Sequence, residues 1–449
     1  MKKRMYKIMA LAMTAAMVVP MAAQTTAFAA DDKEITYWNI AVESPDKDIV
    51  TAAVDKFNKE TKSGYTVNQV AIQNDTYKEK LVIAMSSGEC PDMYSSWSGG
   101  PMYEYIDSGF AQPIDDLLDQ SDVKDKLLDA AIEQGSYKGH VYAIPYMNVV
   151  LAGIFYNKDM FKQYGLEEPK TLADLENICA TLKENGITPF ALANASKWTG
   201  SMYFMSLAAR YGGLEPFQNA VAGTGKFTDD CFIKAGEKIQ EWVKNGYFPD
   251  GVNSLSEDDG QAKQLMYQET AGMLLCGSWY TGTFQTDSEE FYQKIGWFPF
   301  PAIDDSDADP TIQIGTVGDQ FISFNCEGDK LAAAFECATD HLSDEVEDMI
   351  YSTGKIAPVK DAGDHISDPV VKEIFDAAQE ASSIQLWYDQ YLPTSVATAH
   401  LDGLQEVFGL TKTPQEAQEE MQTAMDEYLS TKSDSGAADD TAEEATDDA

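Results

Sequence analysis

From Ile35 to Tyr94 the chain alternates short apolar runs with stretches of helical period. Ile35 to Trp38, Tyr65 to Ile72 and Pro91 to Tyr94 read as strands, and Ile49 to Thr61 and Tyr77 to Ser87 as helices, so the pattern predicts a βαβαβ lobe. Further on, Lys138-Gly139 reads as a hairpin turn. Val141 to Ile144 is a strand closed by Pro145, and Val149 to Tyr156 is a strand apolar on both faces. Asn157 can cap a short helix that Gly165 stops. The polar, aromatic joint Pro145-Tyr146-Met147-Asn148 sits between these structured halves, where a chain passing from one domain to another can line a cleft.

The alternation continues. Thr171 with Asp174 resembles a capping box opening a helix that Gly186 ends, and Phe227 to Gly246 is helical. Ala271 to Leu275 is a short buried strand that delivers Gly277-Ser278-Trp279 to a loop. Ile314 to Phe324 reads as strand, Lys330 to Asp340 and Asp344 to Tyr351 as helices, and Ser367 to Leu429 as mainly helical. Ser433 to Ala449, small and acidic without apolar anchors, is expected to be disordered.

Composition narrows the function. A chain of 449 residues with 44% hydrophobic content can bury a large core, and its length favours two or more domains. Its formal net charge of -42 repels nucleic acid and anionic lipid, so neither is an expected partner. Tight recognition of phosphate or carboxylate usually recruits an arginine fork. Arginine occurs only at Arg4 and Arg210, which favours a neutral or cationic ligand. Residues 1–30 carry a basic start, an apolar run and the small-residue site Ala27-Phe28-Ala29, which reads as a signal peptide and predicts export. Cys90, Cys179, Cys231, Cys276, Cys326 and Cys337 are scattered beside apolar residues without a C-x-x-C pair, as buried free thiols are.

The stretch G-H-V-Y-A-I-P … Y-N-K-D-M-F from Gly139 to Phe161 resembles the inter-lobe crossing of the extracellular solute-binding proteins of family 1, which feed ABC importers. Pro169 to Leu175 and Gln268 to Trp279 resemble later blocks of the same family, in order, and the likeness runs from Ile35 to Leu429. It implies an α/β fold of two lobes, the type II periplasmic-binding-protein arrangement, joined by several hinge crossings. Residues 31–146 with 315–360 would form the N-terminal lobe, and 147–314 with 361–432 the C-terminal lobe. It also implies a monomer that closes on its ligand and hands it to a membrane permease. Many Gram-positive members of that family carry a lipid-bearing cysteine just after the signal, whereas the first cysteine here is Cys90.

A sugar offers weakly apolar C–H faces and a rim of hydroxyls, so its site needs aromatic planes and short polar side chains. By the resemblance, Trp279 is the stacking tryptophan of the G-S-W loop, Trp198 faces the cleft from the second lobe, and Trp387 returns at the third crossing with Asp389 and Gln390. Asn39 and Trp97 end strands at their carboxyl edge, where ligands of open α/β sheets sit. Asn74 leaves the second strand edge, and Asp319 resembles a hinge-adjacent turn that can accept sugar hydroxyls. Tyr146 lies in the crossing itself, where hinge packing is the alternative. Trp242 and Trp297, on a helical face and an apolar strand, read as core.

Enzyme signatures fail. Asp305, Asp307 and Asp309 alternate like a calcium loop, but Pro310 and Thr316 stand where glycine and glutamate are required. Gly223 to Lys226 lacks the flanking residues of a phosphate loop, and His140, His341, His365 and His400 are isolated. No catalytic residue, metal or cofactor is expected. Three readings compete: a receptor for a neutral oligosaccharide, a polyamine or other cation receptor of an ABC importer, and a secreted glycoside hydrolase, whose carboxylate pair is defined by spatial separation and not by spacing in sequence.

Overall fold

Strand β1 (Glu34–Asn39) buries Ile35, Tyr37 and Asn39 and half-buries the residues between them, so every second side chain faces the core. It lies between β2 (Thr66–Ala71) and β3 (Met93–Ser96), parallel to both. The crossovers are α1 (Asp46–Glu60) and α2 (Asn74–Ser87), as parallel pairing demands. In the computed structural model, which describes residues 33–443, two later strands complete this sheet. Phe321–Phe324 runs antiparallel to β3 and to Ala143–Pro145 at the sheet edge.

The second lobe is organised on Val150–Asn157, buried at all eight positions. It pairs antiparallel with Ala271–Gly277, Ile295–Pro299 and Gln313–Thr316. Thr188–Phe190 and Ile384–Gln385 occupy the sheet's ends. Local chemistry sets the boundaries. The Asn157 side chain accepts the N–H groups of Asp159 and Met160, and Gly165 ends that helix in the left-handed region. Thr171 and Asp174 form the reciprocal capping box of Leu172–Glu184. Lys138 and Gly139, both at positive φ, make the turn of the hairpin Ser136–Tyr137 and His140–Val141. The helices Trp198–Gly212, Asp230–Lys244, Thr394–Phe408 and Pro414–Glu443 pack against one another in this lobe.

The chain crosses between lobes after Pro145, after Thr316 and again beyond Lys360, whose N–H still bonds Lys126 in the first lobe. Hydrogen bonds tie the crossings together. The Asn148 carbonyl accepts the Asp319 N–H at 2.8 Å, its side-chain oxygen accepts the Ile356 N–H at 2.8 Å, and Tyr146 donates its hydroxyl to Gln320 at 2.7 Å.

Three expectations are adjusted. Ile314 to Phe324 is two strands in different sheets, parted at Val317 to Gln320, so the second crossing falls after Thr316 and not before Gly315. The Cβ of any larger residue at Gly318 would lie 2.8 Å from the Phe321 ring, so the break is tightly packed. The last helix runs to Glu443, past the point where composition placed a disordered tail. Extending a helix that docking has nucleated costs far less than starting one, and Ala437, Ala438, Ala442 and Glu443 favour the helical state. The leader read at residues 1–30 and the final residues 444–449 lie outside the described residues. All six cysteines are free thiols, five of them buried.

Candidate functional site

The carboxyl ends of β1 and β3 and the start of α2 face the second lobe across a cavity of about 220 Å³. From the first lobe it is lined by Ile40, Asp46, Asn74, Lys78 and Trp97, and from the second by Trp198, Met202, Glu257, Asp258 and Trp279. The crossings add Asp319 and Gln320, then Trp387, Asp389 and Gln390.

Separate stretches deliver the aromatic wall. Trp198 opens the helix Trp198–Gly212, Trp279 follows the strand Ala271–Gly277, and Trp387 precedes the short helix Tyr388–Tyr391. The ring of Trp279 stands edge to face with Trp198 at 5.9 Å between centroids and with Trp387 at 6.3 Å. Gly277 makes this possible, because a Cβ there would lie 2.0 Å from the Trp279 ring. Opposite, Lys78 places its ammonium 5.0 Å over Trp97 and 3.9 Å from the Asp389 carboxylate.

Carboxylates make up most of the polar wall. Asp46 is ion-paired to the buried Lys355. Glu257 accepts the hydroxyl of Tyr280, and Asp258 accepts the N–H of Asp75 at 3.0 Å. Burial pushes the Glu257 carboxyl up to about 7, against the Tyr280 hydrogen bond. Burial likewise lifts Asp319 to about 7, against the pull of Lys355. Asp389 is raised for the same reason, opposed by Lys78, and Asp258 is raised by burial as well. Each of these four carboxylates keeps part of its surface open to the cavity.

Of the residues expected from the sequence, the cavity collects Asn74, Trp97, Trp198, Trp279, Asp319, Trp387, Asp389 and Gln390. Asn39 and Tyr146 are not among its walls. Asn39 is buried and its side-chain oxygen accepts the Ala41 N–H at 3.0 Å, while its neighbour Ile40 reaches the cavity. Tyr146 is fully buried among Tyr37, Ser95 and Gln320, so it serves the hinge. Lys78, Glu257 and Asp258 were not anticipated; in a chain with 74 acids an S-E-D-D-G loop carries no distinguishing mark. Trp242 and Trp297 are core, and Trp242 donates its indole N–H to Glu176 at 2.9 Å.

A larger groove of about 980 Å³ flanks the same interface, with Tyr103 stacked on Tyr137 at 4.3 Å. It contains no tryptophan, and the segment that includes Gln390 and Leu392 is pressed against Gly99 and Gly100 beside it. A Cβ at Gly99, which has φ +103, would lie 2.1 Å from the Gln390 carbonyl. The smaller, tryptophan-walled cavity is therefore the candidate site.

Comparison with known proteins agrees with this architecture. An uncharacterised ABC transporter extracellular-binding protein of Pyrococcus horikoshii is 31% identical over 228 residues, half of each chain. The maltotriose-binding protein of Pyrococcus abyssi is 28% identical over 235 residues, 51% of this chain and 46% of that one. The chain thus spans about half the length of the curated relatives it matches. A solved structure from work on xylan utilization by the thermophilic bacterium Caldanaerobius polysaccharolyticus superposes with a TM-score of 0.79 at 28% identity, covering 87% of this chain and 99% of that chain. The family model for bacterial extracellular solute-binding proteins matches residues 41–338, both faces of the cavity included, and the chain belongs to that family.

Proposed function

We propose that this chain is an exported receptor that captures an oligosaccharide without anionic groups between its lobes and passes it, unmodified, to the permease of an ABC importer. A neutral oligosaccharide is the simplest such ligand. One observation carries the reading: three tryptophans from distant parts of the chain meet at a single inter-lobe cavity beside short polar side chains. Arg210, the one arginine among the described residues, donates to the carbonyls of Phe300, Pro301 and Ile312 and is committed to the fold, so no guanidinium is free to receive an anion. The maltotriose-binding relative supports a carbohydrate ligand, and closure about the linked crossings would enclose it.

Calorimetric titration of the chain from residue 31 onward with neutral oligosaccharides, followed by recovery of the sugar, tests this reading. Saturable binding of one sugar class with intact recovery supports a receptor. Cleaved sugar would point instead to a glycoside hydrolase, and binding of polyamines alone to a cation receptor.

A further inference from the structure

We propose that the inter-lobe cavity is matched to a saccharide bearing a protonated amine, its ring lying against the tryptophans and its ammonium received at one position along the carboxylate wall that Glu257, Asp319 and Asp389 form. This rests on the saccharide reading above and names the ligand class within it.

The inference comes from an imbalance of donors and acceptors. Five carboxylates line the cavity, from Asp46, Glu257, Asp258, Asp319 and Asp389, against one lysine, Lys78. Asp46 is committed to Lys355 and Asp258 to the Asp75 N–H, while Glu257 accepts the Tyr280 hydroxyl on one of its two oxygens. Lys78 is shared between Asp389 and the face of Trp97. The amide donors are few, and Asn74 turns its own toward Asp75 at 3.2 Å. Hydroxyls donate and accept alike, so a site selected for them alone would balance carboxylates with donors. An ammonium brings three donors and no acceptor, which is what this wall lacks, and tryptophan faces attract a cation.

The carboxylates surround the cavity and do not converge on a point: among the described residues no group of three or more His, Cys, Asp or Glu is placed to hold a metal ion. That distribution suits an organic cation attached to a larger body. Electrostatics agrees. Glu257 faces Tyr280, Asp258, Asp75 and Lys263, and Asp319 faces Lys355, Asp46 and Gln320; in these surroundings both carboxyls hold their protons up to about 7. A bound ammonium stabilises the ionised forms, so the carboxyls release protons on capture near neutrality, and the net release is theirs less the protons taken up by the fraction of amine that was neutral in solution.

The test uses matched saccharides that differ at one substituent: glucosamine and galactosamine oligomers of one to three units, their N-acetyl forms, and the parent sugars with a hydroxyl in that place, with spermidine as a bare amine. Each is titrated calorimetrically at pH 7 in two buffers of unlike ionisation enthalpy. The amine form is expected to bind at least about tenfold tighter than its neutral counterparts and to release protons, and Asp319→Asn is expected to narrow that ratio. Proton release is read on the unaltered protein, so the test does not depend on how a variant folds. A neutral member that binds as tightly as its amine counterpart overturns the inference and leaves the saccharide reading standing. Binding of spermidine but of no saccharide overturns the saccharide reading and this inference with it, and silence across the whole panel counts against both.

Discussion

The carboxylate of Asp258, on the second lobe, accepts the backbone N–H of Asp75 in the first turn of α2 on the first lobe, 3.0 Å away. The residue preceding that helix, Gln73, supplies no side-chain cap. The N-terminus of α2 is thus capped from across the cleft, and a helix end that carries partial positive charge gains most from such an anion. Because the contact exists only when the lobes are together, it favours closure without needing to touch ligand.

Removing it should shift the closure equilibrium. Asp258→Ala is expected to weaken ligand binding by about 1 kcal/mol, the usual worth of a cap, and to enlarge the radius of gyration of the free protein in small-angle scattering. Asp258→Asn, which retains an acceptor oxygen, should recover most of the loss. An Ala variant with native affinity and native radius would remove Asp258 from the closing mechanism.

Trp279 is the hub of the aromatic wall, in contact with both Trp198 and Trp387. Trp279→Ala is expected to weaken saccharide binding by about 1 to 3 kcal/mol, as loss of an aromatic platform does. Gly277→Ala provides an independent route to the same result, since its methyl group would occupy the space of the indole 2.0 Å away. Both are read by titration, with near-ultraviolet circular dichroism reporting on the tryptophans. Native affinity in both variants would mean that stacking does not hold the ligand.

How much of this was legible in the sequence depended on the range of the interactions. The Thr171–Asp174 capping box, the Lys138-Gly139 turn and the alternation of β1 through β3 are short-range chemistry, and they fold as they read. The three cavity tryptophans were singled out by the resemblance to the solute-binding family, whereas Trp242 and Trp297 were read as core from the helical face and apolar strand that carry them. Tyr146 was misplaced because what decides its role is Gln320, 174 residues away. Likewise Ile314 to Phe324 reads as one strand-like stretch despite the polar pair Asp319-Gln320 within it, and only pairing with two different sheets shows that a lobe boundary passes through it. Glu257 and Asp258 became visible only once the fold set them opposite α2.

Arg210 offers a stability test that leaves the cavity untouched. Its guanidinium donates to three buried backbone carbonyls, and burial lowers its pKa to about 10. Arg210→Met fills similar space but strands those acceptors, at a cost of about 1 to 3 kcal/mol for an unpaired buried group. Chemical denaturation is expected to show a loss of at least about 2 kcal/mol, with saccharide affinity preserved in the folded protein. A stability change under about 0.5 kcal/mol, the range of ordinary surface substitutions, would mean that water or relaxation replaces the guanidinium.

The buried acids fix the sign of a pH dependence. Glu257 and Asp319 titrate at about 7 in the folded protein and near ~4 when unfolded. Between these values the folded state holds more protons, so their contribution to stability falls as pH rises through that window and levels off above it. His341 and His400 act in the opposite direction. Burial depresses them to about 4 and about 3, so across roughly pH 3 to 6.5 the unfolded chain binds more protons and stability rises with pH. The bulk profile mixes the two effects, whereas a difference between variants does not. Asn is close in shape to protonated Asp, so Asp319→Asn should match the native Tm near pH ~3, below both values. At pH 8 it should be more stable than the native protein, by about 2 kcal/mol after discounting for the part of the carboxylate open to cavity water, and unfold at a higher temperature. Glu257→Gln should behave alike, reduced by whatever the Tyr280 hydrogen bond contributes to the ionised form. If instead the Asn variant becomes less stable than native as pH rises, the Asp319 carboxylate is a net stabiliser through Lys355, and the cavity tolerates its negative charge without a cation.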